Sequence, residues 1–336
     1  MSSPSVNYRT FVIANPIAAA GNVKDEWPLI ERLLRANLPE LDYAFTDGPG
    51  HATLLTREAL RAGWEMVVSV GGDGTLNEVL NGFYDRPKAQ EDFSISERGF
   101  VCAENSTPTP VNPDAVLGVI PMGTGGDFRR TLGLMGGIAE TVDRLRGRHT
   151  RAIDLGQVAY LNHKDKLASH YFLNIAAAGL SGLVDHYVNR SWKGLGGTTS
   201  FAIGTLRAGI KWKNAQMAVV LDGTTEIDDM LQNVIVANGA YFGGGMWIAP
   251  GALVDDGQFE VILMRDLSFR ESLVILPQIY SGKHLSSRKV TRHQARQIAV
   301  RAVGEDRDIL LDIDGEQPGK LPALWKMHRG ALKFKV

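Results

Sequence analysis

The chain has 336 residues, 44% of them hydrophobic, and its 36 Lys and Arg residues nearly balance 37 Asp and Glu residues. This length suits two domains rather than one compact core, with enough apolar content for both. The formal net charge of -1 excludes a global basic field, so no nucleic-acid partner is expected. A single cysteine, Cys102, excludes an intramolecular disulfide framework and favours a reducing compartment.

The N-terminus lacks the pattern of a secretory signal. Residues 1–7 are polar and residues 8–14 read as a short strand, so we expect a cytoplasmic protein. The uncharged stretch 232–254 is long enough to be tested as a membrane helix, but two asparagines, Pro250 and five glycines interrupt it. This stretch therefore predicts a strand, a glycine loop and a second strand.

Strand-like and helix-like patterns alternate in the N-terminal half. The predicted strands are 10–14, 41–46, 66–70 and 116–120, and the predicted helices lie at 27–38, 52–62 and 76–83. Alternation of this kind predicts a parallel sheet with crossover helices. Ligands of such sheets bind beyond the carboxyl ends of the strands, where Asn15, Thr46 and the turn 71–75 fall.

The most informative motif is the run Gly71-Gly72-Asp73-Gly74-Thr75-Leu76-Asn77-Glu78, which follows an apolar strand and opens a helix-like pattern. Glycines at such a junction let a phosphate approach exposed backbone N–H groups. The Asp73 carboxylate can hold a metal ion or its water, and the Thr75 hydroxyl can donate to an anion. A second turn, 121–127, repeats the strand, glycines, Thr and Asp, so the pair indicates a nucleotide-handling enzyme.

Several common nucleotide motifs are missing from the sequence. It contains no Walker-type Gly-x-x-x-x-Gly-Lys, no Gly-x-Gly-x-x-Gly after the first strand, and no protein-kinase signature. No Cys and His cluster has zinc spacing. Phosphoryl transfer needs only phosphate positioning, Mg²⁺ and a carboxylate near the acceptor hydroxyl, and the chain has candidates for each.

The C-terminal half reads as β-rich. Short strand-like runs recur from residue 151, with helical interruptions at 183–213 and 270–282, whereas the polar segment 84–115 reads as a surface insertion. Two acidic turns stand out, 312–316 as the candidate acceptor-activating site and 255–257 as a candidate Mg²⁺ loop. Taken alone, 312–316 is more readily interpreted as a solvent-exposed β-turn and 255–257 as a hairpin turn.

Basic residues concentrate in two places, the acid-free stretch 272–304 and the tail after Glu316. These stretches are compatible with a solvated face or with attraction to anionic lipid headgroups.

Taken together, the motifs resemble the soluble lipid kinase family that contains bacterial diacylglycerol kinases with sphingosine and ceramide kinases. Six blocks in this order carry the resemblance: Asn15-Pro16, Thr46 with residues 49–52, residues 71–78, residues 118–125, residues 243–246 with 255–257, and Asp314-Gly315-Glu316. Two departures are Gly126, where the family usually has Asn, and a first loop in which Ile17 and three alanines precede Gly21.

The resemblance implies an α/β, Rossmann-like ATP-binding domain with a parallel sheet over 1–150. A β-rich sandwich domain for the lipid substrate would follow over 151–320, a segment 321–336 would return to the first domain, and the site would lie in the cleft. In the family pattern the catalytic residues are Glu316, as proton acceptor from the lipid hydroxyl, with Asp314 and Asp73 close by. A structural Mg²⁺ would bind Asp256 and the carbonyls of Leu253 and Gln258. The ATP-binding positions would be Asn15, Pro16, Thr46, Gly71, Gly72, Asp73, Gly74, Thr75, Leu76, Asn77, Gly123, Thr124, Gly125 and Asp127.

The resemblance thus predicts an ATP- and Mg²⁺-dependent kinase that phosphorylates a hydroxyl of diacylglycerol or a related long-chain lipid. It implies a cytoplasmic protein that contacts its lipid substrate peripherally at a membrane surface, and edge strands of the second domain could pair in a homodimer. One alternative is an NAD kinase-like enzyme, which shares the Gly-Gly-Asp-Gly-Thr turn but tends to carry an Asn-Asn-acid block not found here. Another is a nucleotide- or lipid-binding module without catalysis, suggested by Gly126.

Overall fold

The computed structural model describes residues 7–18, 22–85, 93–96, 99–102, 107–123, 126–190, 204–205, 207–304 and 308–336. The chain divides into two compact units. Unit 1 comprises Met1–Arg86, Pro108–Asp154 and Gly330–Val336, and unit 2 comprises Pro87–Thr107 and Leu155–Arg329.

Strands and helices alternate in the first part of the chain and strands dominate the second. In chain order the elements are β1 (Thr10–Ala14), α1 (Asn22–Asn37), β2 (Leu41–Phe45), α2 (His51–Arg61), β3 (Met66–Gly71), α3 (Asp73–Phe83), β4 (Phe93–Ser96), β5 (Gly99–Cys102), β6 (Val116–Pro121), α4 (Asp127–Thr131), α5 (Ile138–Arg144), β7 (Thr150–Asn162), β8 (Leu167–Phe172), β9 (Ile175–Gly179), α6 (Leu180–Arg190), β10 (Ala215–Leu221), β11 (Thr225–Ala237), β12 (Tyr241–Phe242), β13 (Met246–Trp247), β14 (Phe259–Arg265), α7 (Phe269–Ile279), β15 (Val290–Ala295), β16 (Gln297–Ala302), β17 (Leu311–Ile313) and β18 (Gly319–Lys335).

Unit 1 is built on a parallel sheet with the strand order β2-β1-β3-β6. The last residues of β18 extend this sheet, with Lys333 opposite Val116 in a parallel pair. Val12 and Val68 are among the strand residues that pack against the buried stripe of α1, which includes Trp27 and Leu34. The apolar spacing of α1 thus explains which side of that helix faces the sheet.

Unit 2 is dominated by antiparallel pairing. Its strands run in the order β15-β14-β11-β10-β16-β18, while β9 pairs with β11 and β17, and β7 pairs with β8. The long strand β11 pairs with β10 over its first half and with β9 over its second, with an irregularity between Leu231 and Asn233 in its pairing with β14. Its core includes Phe172, Phe259 and Trp325. The predicted fold class, an α/β region with a parallel sheet followed by a β-rich domain, is confirmed.

Several element bounds differ from the sequence-based expectation. Helix α3 begins at Asp73 rather than at Leu76, so the acid and hydroxyl of the glycine motif lie in its first turn. Segment 84–115, expected as a surface insertion, contains the hairpin β4–β5, whose Phe93 is buried against Leu324. The expected helix 183–213 is present as α6 and a helical segment at 207–211, while residues 191–203 and 206 lie outside the described residues.

The structure also bears on the candidate membrane span. Stretch 232–254 forms the end of β11, a glycine loop and the short strands β12 and β13, in keeping with the expectation. Within the described ranges, no helix has the length and apolar character needed to cross a bilayer.

Candidate functional site

The carboxyl ends of the parallel strands of unit 1 lie side by side. The N–H of Asn15, just after β1, donates to the carbonyl of Val70 at 2.9 Å, and the N–H of Thr46 donates to the carbonyl of Ala14 at 2.9 Å. The N–H of Met122 donates to the carbonyl of Gly71 at 2.8 Å. The loops that follow four strands therefore meet at one edge, where ligands of parallel sheets bind.

Gly71 creates the space that the Thr75 side chain occupies. A Cβ on Gly71 would lie 2.6 Å from Thr75 Oγ1, so only glycine allows the first turn of α3 to fold back over the strand end. Thr75 Oγ1 accepts a hydrogen bond from Asn15 Nδ2 at 3.1 Å, and Asn15 Oδ1 accepts one from the Ile17 N–H at 3.2 Å. Because the Thr75 oxygen accepts from Asn15, its own proton can be donated to an anion.

The N-terminus of α3 provides backbone donors beside this hydroxyl. The N–H of Leu76 donates to the carbonyl of Gly72 at 3.1 Å. The backbone N–H groups that precede it in the first turn have no acceptor within the helix, as at any helix N-terminus. A Cβ on Gly123 would lie 2.8 Å from Gly72 Cα, so the two glycine turns touch through their backbones. Backbone donors and the positive end of the helix dipole make this a suitable anion-binding site.

Asp73 joins the two turns. Its Oδ2 accepts a hydrogen bond from the N–H of Asp127 at 3.1 Å, at the start of α4. Asp127 is buried, and its Oδ1 accepts from Arg130 Nη1 at 3.2 Å. The Asp127 carboxylate therefore has an internal cationic partner, whereas Asp73 is partly exposed at the edge of the turn.

Gly126, which stands where the family usually has Asn, has a left-handed backbone conformation. Gly126 has φ 58° and ψ 39°, the left-handed region that glycine and asparagine adopt most readily. A Cβ at this position would lie 2.6 Å from Arg129 Nε, so the Arg129 side chain fills the space beside Gly126 in this chain. The predicted nucleotide contacts Thr124 and Gly125 lie outside the described residues.

Glu78, the last residue of the glycine motif, supports the neighbouring helix. Its Oε1 accepts from the N–H of Gly50 at 2.8 Å and its Oε2 accepts from the N–H of Ala52 at 3.2 Å. The N-terminus of α2 is thus held by a carboxylate of the same unit. Leu76 and Asn77 are buried, and their predicted contacts with ATP, like that of Pro16, stay predictions.

In unit 2 the acidic turn after β17 is fastened by Asp314. Its Oδ1 accepts from the N–H groups of Asn174 at 3.2 Å and Ile175 at 2.9 Å, and its Oδ2 accepts from that of Leu173 at 3.1 Å. Asp314 itself has φ 48°. Glu316 lies exposed in the same turn, where its N–H donates to the carbonyl of Ile313 at 3.0 Å. The catalytic roles of Glu316 and Asp314 stay predictions.

A third acid near Glu316, Asp185, lies outside the motifs recognised in the sequence. Asp185 of α6 is buried next to Asp312, and burial, followed by the charge of Asp312 and a hydrogen bond between the two side chains, raises the pKa of Asp185 well above its usual value. The charge of Glu316 contributes to the same shift. Burial also raises the pKa of Asp312, whose Oδ1 accepts from the N–H of Gly315 at 2.9 Å. Burial therefore favours a state in which the two carboxyl groups of Asp185 and Asp312 share one proton.

A glycine explains how these carboxyls meet. A Cβ on Gly182 would overlap the carbonyl of Leu310, so the missing side chain lets α6 lie against the chain entering β17. The signal that could have pointed to Asp185 is a Ser181–Asp185 pair, one helical turn apart, in an otherwise apolar stretch.

The predicted Mg²⁺ loop has oxygen donors on a tight turn. Asp256 Oδ1 accepts from the N–H of Gln258 at 2.9 Å, Gly257 has φ 80°, and Leu253 is exposed. Throughout the described residues, no group of three or more His, Cys, Asp or Glu side chains could hold a metal ion. A site here would use one carboxylate and backbone carbonyls, hard oxygen ligands that suit Mg²⁺, so the donor set fits.

Comparisons with known proteins find similarity to diacylglycerol kinases in both halves of the chain. The family model for the diacylglycerol kinase catalytic domain matches residues 9–158, and that for the YegS C-terminal NAD kinase beta sandwich-like domain matches residues 174–336. A diacylglycerol kinase of Staphylococcus haemolyticus strain JCSC1435 is 28% identical over 313 residues, 93% of this chain and 83% of that protein. A diacylglycerol kinase of Staphylococcus carnosus strain TM300 is 28% identical over 316 residues, 94% of this chain and 90% of that protein.

Two solved structures share the fold. The crystal structure of a candidate diacylglycerol kinase from Bacillus anthracis strain Sterne superposes with a TM-score of 0.74 at 22% identity, covering 100% of this chain and 98% of that one. Yeast NADH kinase complexed with NADH has a TM-score of 0.51 at 9% identity, covering 99% of this chain and 87% of that one. The resemblance expected from the sequence motifs is confirmed: over most of its length this chain is similar to diacylglycerol kinases, and these findings indicate a kinase that transfers phosphate to an alcohol group.

Proposed function

We propose that this lipid kinase transfers the γ-phosphate of ATP to a hydroxyl of diacylglycerol or a related long-chain lipid. The observation that supports ATP most directly is the pair of touching glycine turns in unit 1. The open first turn of α3, the Thr75 hydroxyl held by Asn15, and the backbone of Gly72 and Gly123 offer donors suited to a triphosphate.

Asp73 and Glu316 would have different tasks. Asp73 Oδ2 is occupied by the N–H of Asp127, which leaves Asp73 Oδ1 as the oxygen we expect to face the nucleotide and its metal ion. Glu316 would accept the proton of the lipid hydroxyl while the hydroxyl oxygen bonds to the γ-phosphorus and the bond from that phosphorus to the bridging oxygen of ADP breaks. Bound Mg²⁺ would spread the charge of the phosphates, and a second Mg²⁺ would brace the loop of Leu253, Asp256 and Gln258.

Because the fold is shared with yeast NADH kinase, a second candidate acceptor of the phosphate is a nucleotide. An NAD kinase-like enzyme would use the same glycine turns but would phosphorylate a ribose hydroxyl rather than a lipid. A binding module without catalysis would bind ATP and transfer nothing. The three functions differ in their products, so one experiment separates them.

The experiment offers ATP labelled at the γ-phosphate with diacylglycerol, sphingosine, ceramide and NAD in parallel, and identifies products by mass spectrometry. We expect label in a phosphorylated lipid, and we expect Glu316→Gln to abolish most of it while ATP affinity is kept. Glu226→Gln, an exposed acid on β11 of the same unit, is the matched control. Label in NAD alone would replace the lipid kinase proposal, and ATP binding without any labelled product would indicate the binding module.

A further inference from the structure

The outer face of α7 in unit 2 is apolar although it faces solvent. Leu273 is 50% exposed and Val274 is 63% exposed, Phe269 at the start of the helix is 36% exposed, and Tyr280 just after it is 54% exposed. The opposite side of the same helix is also apolar, since Ile275 and Ile279 are buried in a core cluster. A surface helix ordinarily carries polar residues on its outer face, whereas this helix exposes apolar side chains there.

A second element adds a fifth exposed apolar residue to this surface. Ile210, in the helical segment 207–211, is 66% exposed. Its neighbour Gly209 lies against α7, because a Cβ there would be 3.0 Å from Phe269 Cε2. We call the set of Ile210, Phe269, Leu273, Val274 and Tyr280 the α7 face. Single exposed apolar residues are common, but a cluster on two adjacent elements points to an interaction surface.

Cations border the α7 face. Arg207 and Lys211 flank Ile210, Arg270 lies between Phe269 and Leu273, and Lys283 follows the helix, all four exposed. The acid of α7, Glu271, is 2.8 Å from Lys289 Nζ, and hydrogen bonds from Lys289 and Ser268 lower the pKa of this carboxyl to about 2. The border therefore presents positive charge, and the acid on the helix already has a cationic partner.

In the other basic region, the tail after Glu316, three of the five basic residues (Lys320, Lys333 and Lys335) have partners within the fold. Lys320 lies 2.6 Å from Asp165 and 2.9 Å from Asp308, and Lys333 lies 2.8 Å from Asp114. The C-terminal tail is therefore a poorer candidate for an external anionic partner than the cations around α7.

We propose that the α7 face docks this lipid kinase onto the headgroup region of an anionic bilayer. The proposal rests on the proposed function in one respect, namely that the substrate is a lipid presented in a membrane. The apolar side chains would enter between the headgroups, and Arg207, Lys211, Arg270 and Lys283 would contact anionic headgroups. A few large apolar residues combined with cations is the pattern of interfacial membrane contact, in which neither signal alone suffices for stable binding.

The test is co-sedimentation of the full chain with vesicles of phosphatidylcholine alone and of phosphatidylcholine with phosphatidylglycerol. We expect binding to the anionic vesicles, at least tenfold weaker binding for the double variant L273S and V274S, and weaker binding to anionic vesicles for Arg270→Gln. The matched control is Leu54→Ser, a 49% exposed leucine on α2 of unit 1, which should bind like the unchanged protein. Equal binding by the double variant, or equal binding of the unchanged protein to both kinds of vesicle, would overturn the proposal.

Two further readouts separate docking from catalysis and from self-association. Phosphorylation of diacylglycerol in vesicles should fall with vesicle binding in the double variant, while phosphorylation of a monomeric short-chain diacylglycerol should not. Failure to phosphorylate any lipid would remove the proposed function but leave vesicle binding measurable. Sedimentation velocity measures whether the protein forms the expected homodimer. If the unchanged protein is a dimer and the double variant is a monomer, a second copy of the chain covers the α7 face, and bilayer docking is overturned.

Discussion

Replacing Asp314 by Ala should unfold the acidic turn rather than only slow the reaction. The carboxylate accepts three backbone N–H groups, at 2.9, 3.1 and 3.2 Å, from Ile175, Leu173 and Asn174, all of which are buried. Removing the acceptor leaves these donors without their partner at roughly 1–2 kcal/mol each, so we expect a loss of about 3–6 kcal/mol of unfolding free energy. A loss of this size is a large part of the total stability of a typical domain, which is about 5–15 kcal/mol.

Two variants of the same turn sharpen this prediction. Asp314→Asn keeps an acceptor oxygen and a side chain that tolerates the φ of 48° at this position, so it should cost less than alanine. Glu316→Gln changes an exposed side chain and should alter the unfolding free energy by less than about 0.5 kcal/mol while lowering turnover by roughly 10²–10⁴.

Urea unfolding followed by tryptophan fluorescence and circular dichroism measures the effect, with the fully buried Trp325 of unit 2 as a local reporter. Because two units need not unfold in one step, the comparison is between transitions seen by both probes. An unchanged transition for Asp314→Ala together with lost turnover would refute the structural reasoning and make Asp314 a catalytic group.

Three further predictions concern the glycine turn and the buried acids. Gly71→Ala should weaken ATP binding at least tenfold, because the added Cβ would lie 2.6 Å from Thr75 Oγ1, whereas Gly48→Ala, with open space around its Cβ, should bind normally in calorimetric titration. Asp73→Asn should lower both ATP affinity and turnover in the lipid phosphorylation assay, and normal kinetics would remove this carboxylate from the mechanism. Burial raises the pKa of Asp185, so the native state holds a proton that the unfolded chain releases, and stability should fall as pH rises from about 4 through the native pKa. Asp185→Asn carries no titratable proton and should flatten this fall, measured as the urea midpoint between pH 5 and pH 8; parallel curves would contradict a shared proton.

Local pattern predicted much of the framework. Strand β1 has the predicted bounds, because it is a short apolar run set off by residues that end it. Helix α3 begins three residues before the predicted start, because glycines have low helix propensity and the local pattern therefore does not predict a helical turn there. This turn is stabilised instead by the contact of Gly72 with Gly123. The hairpin β4–β5 was missed because it lies in a polar segment and its buried Phe93 packs on residues far along the chain.

The sequence by itself determined the α/β and β-rich halves and the glycine turns, because hydrophobic period and glycine content are properties of neighbouring residues, and the order of its motifs carried the resemblance to the lipid kinases. Only the tertiary structure distinguished the acids from one another. Asp73, Asp127, Asp312 and Asp314 all lie in or beside strand-ending turns, yet they have different partners and burial. The partner of Asp314 at Leu173 is 141 positions away, and Asp312 on strand β17 has its side-chain partner, Asp185, on helix α6. Contacts over such separations are formed when the chain folds, so no local pattern can specify which carboxylate braces a loop, which one shares a proton and which one meets solvent.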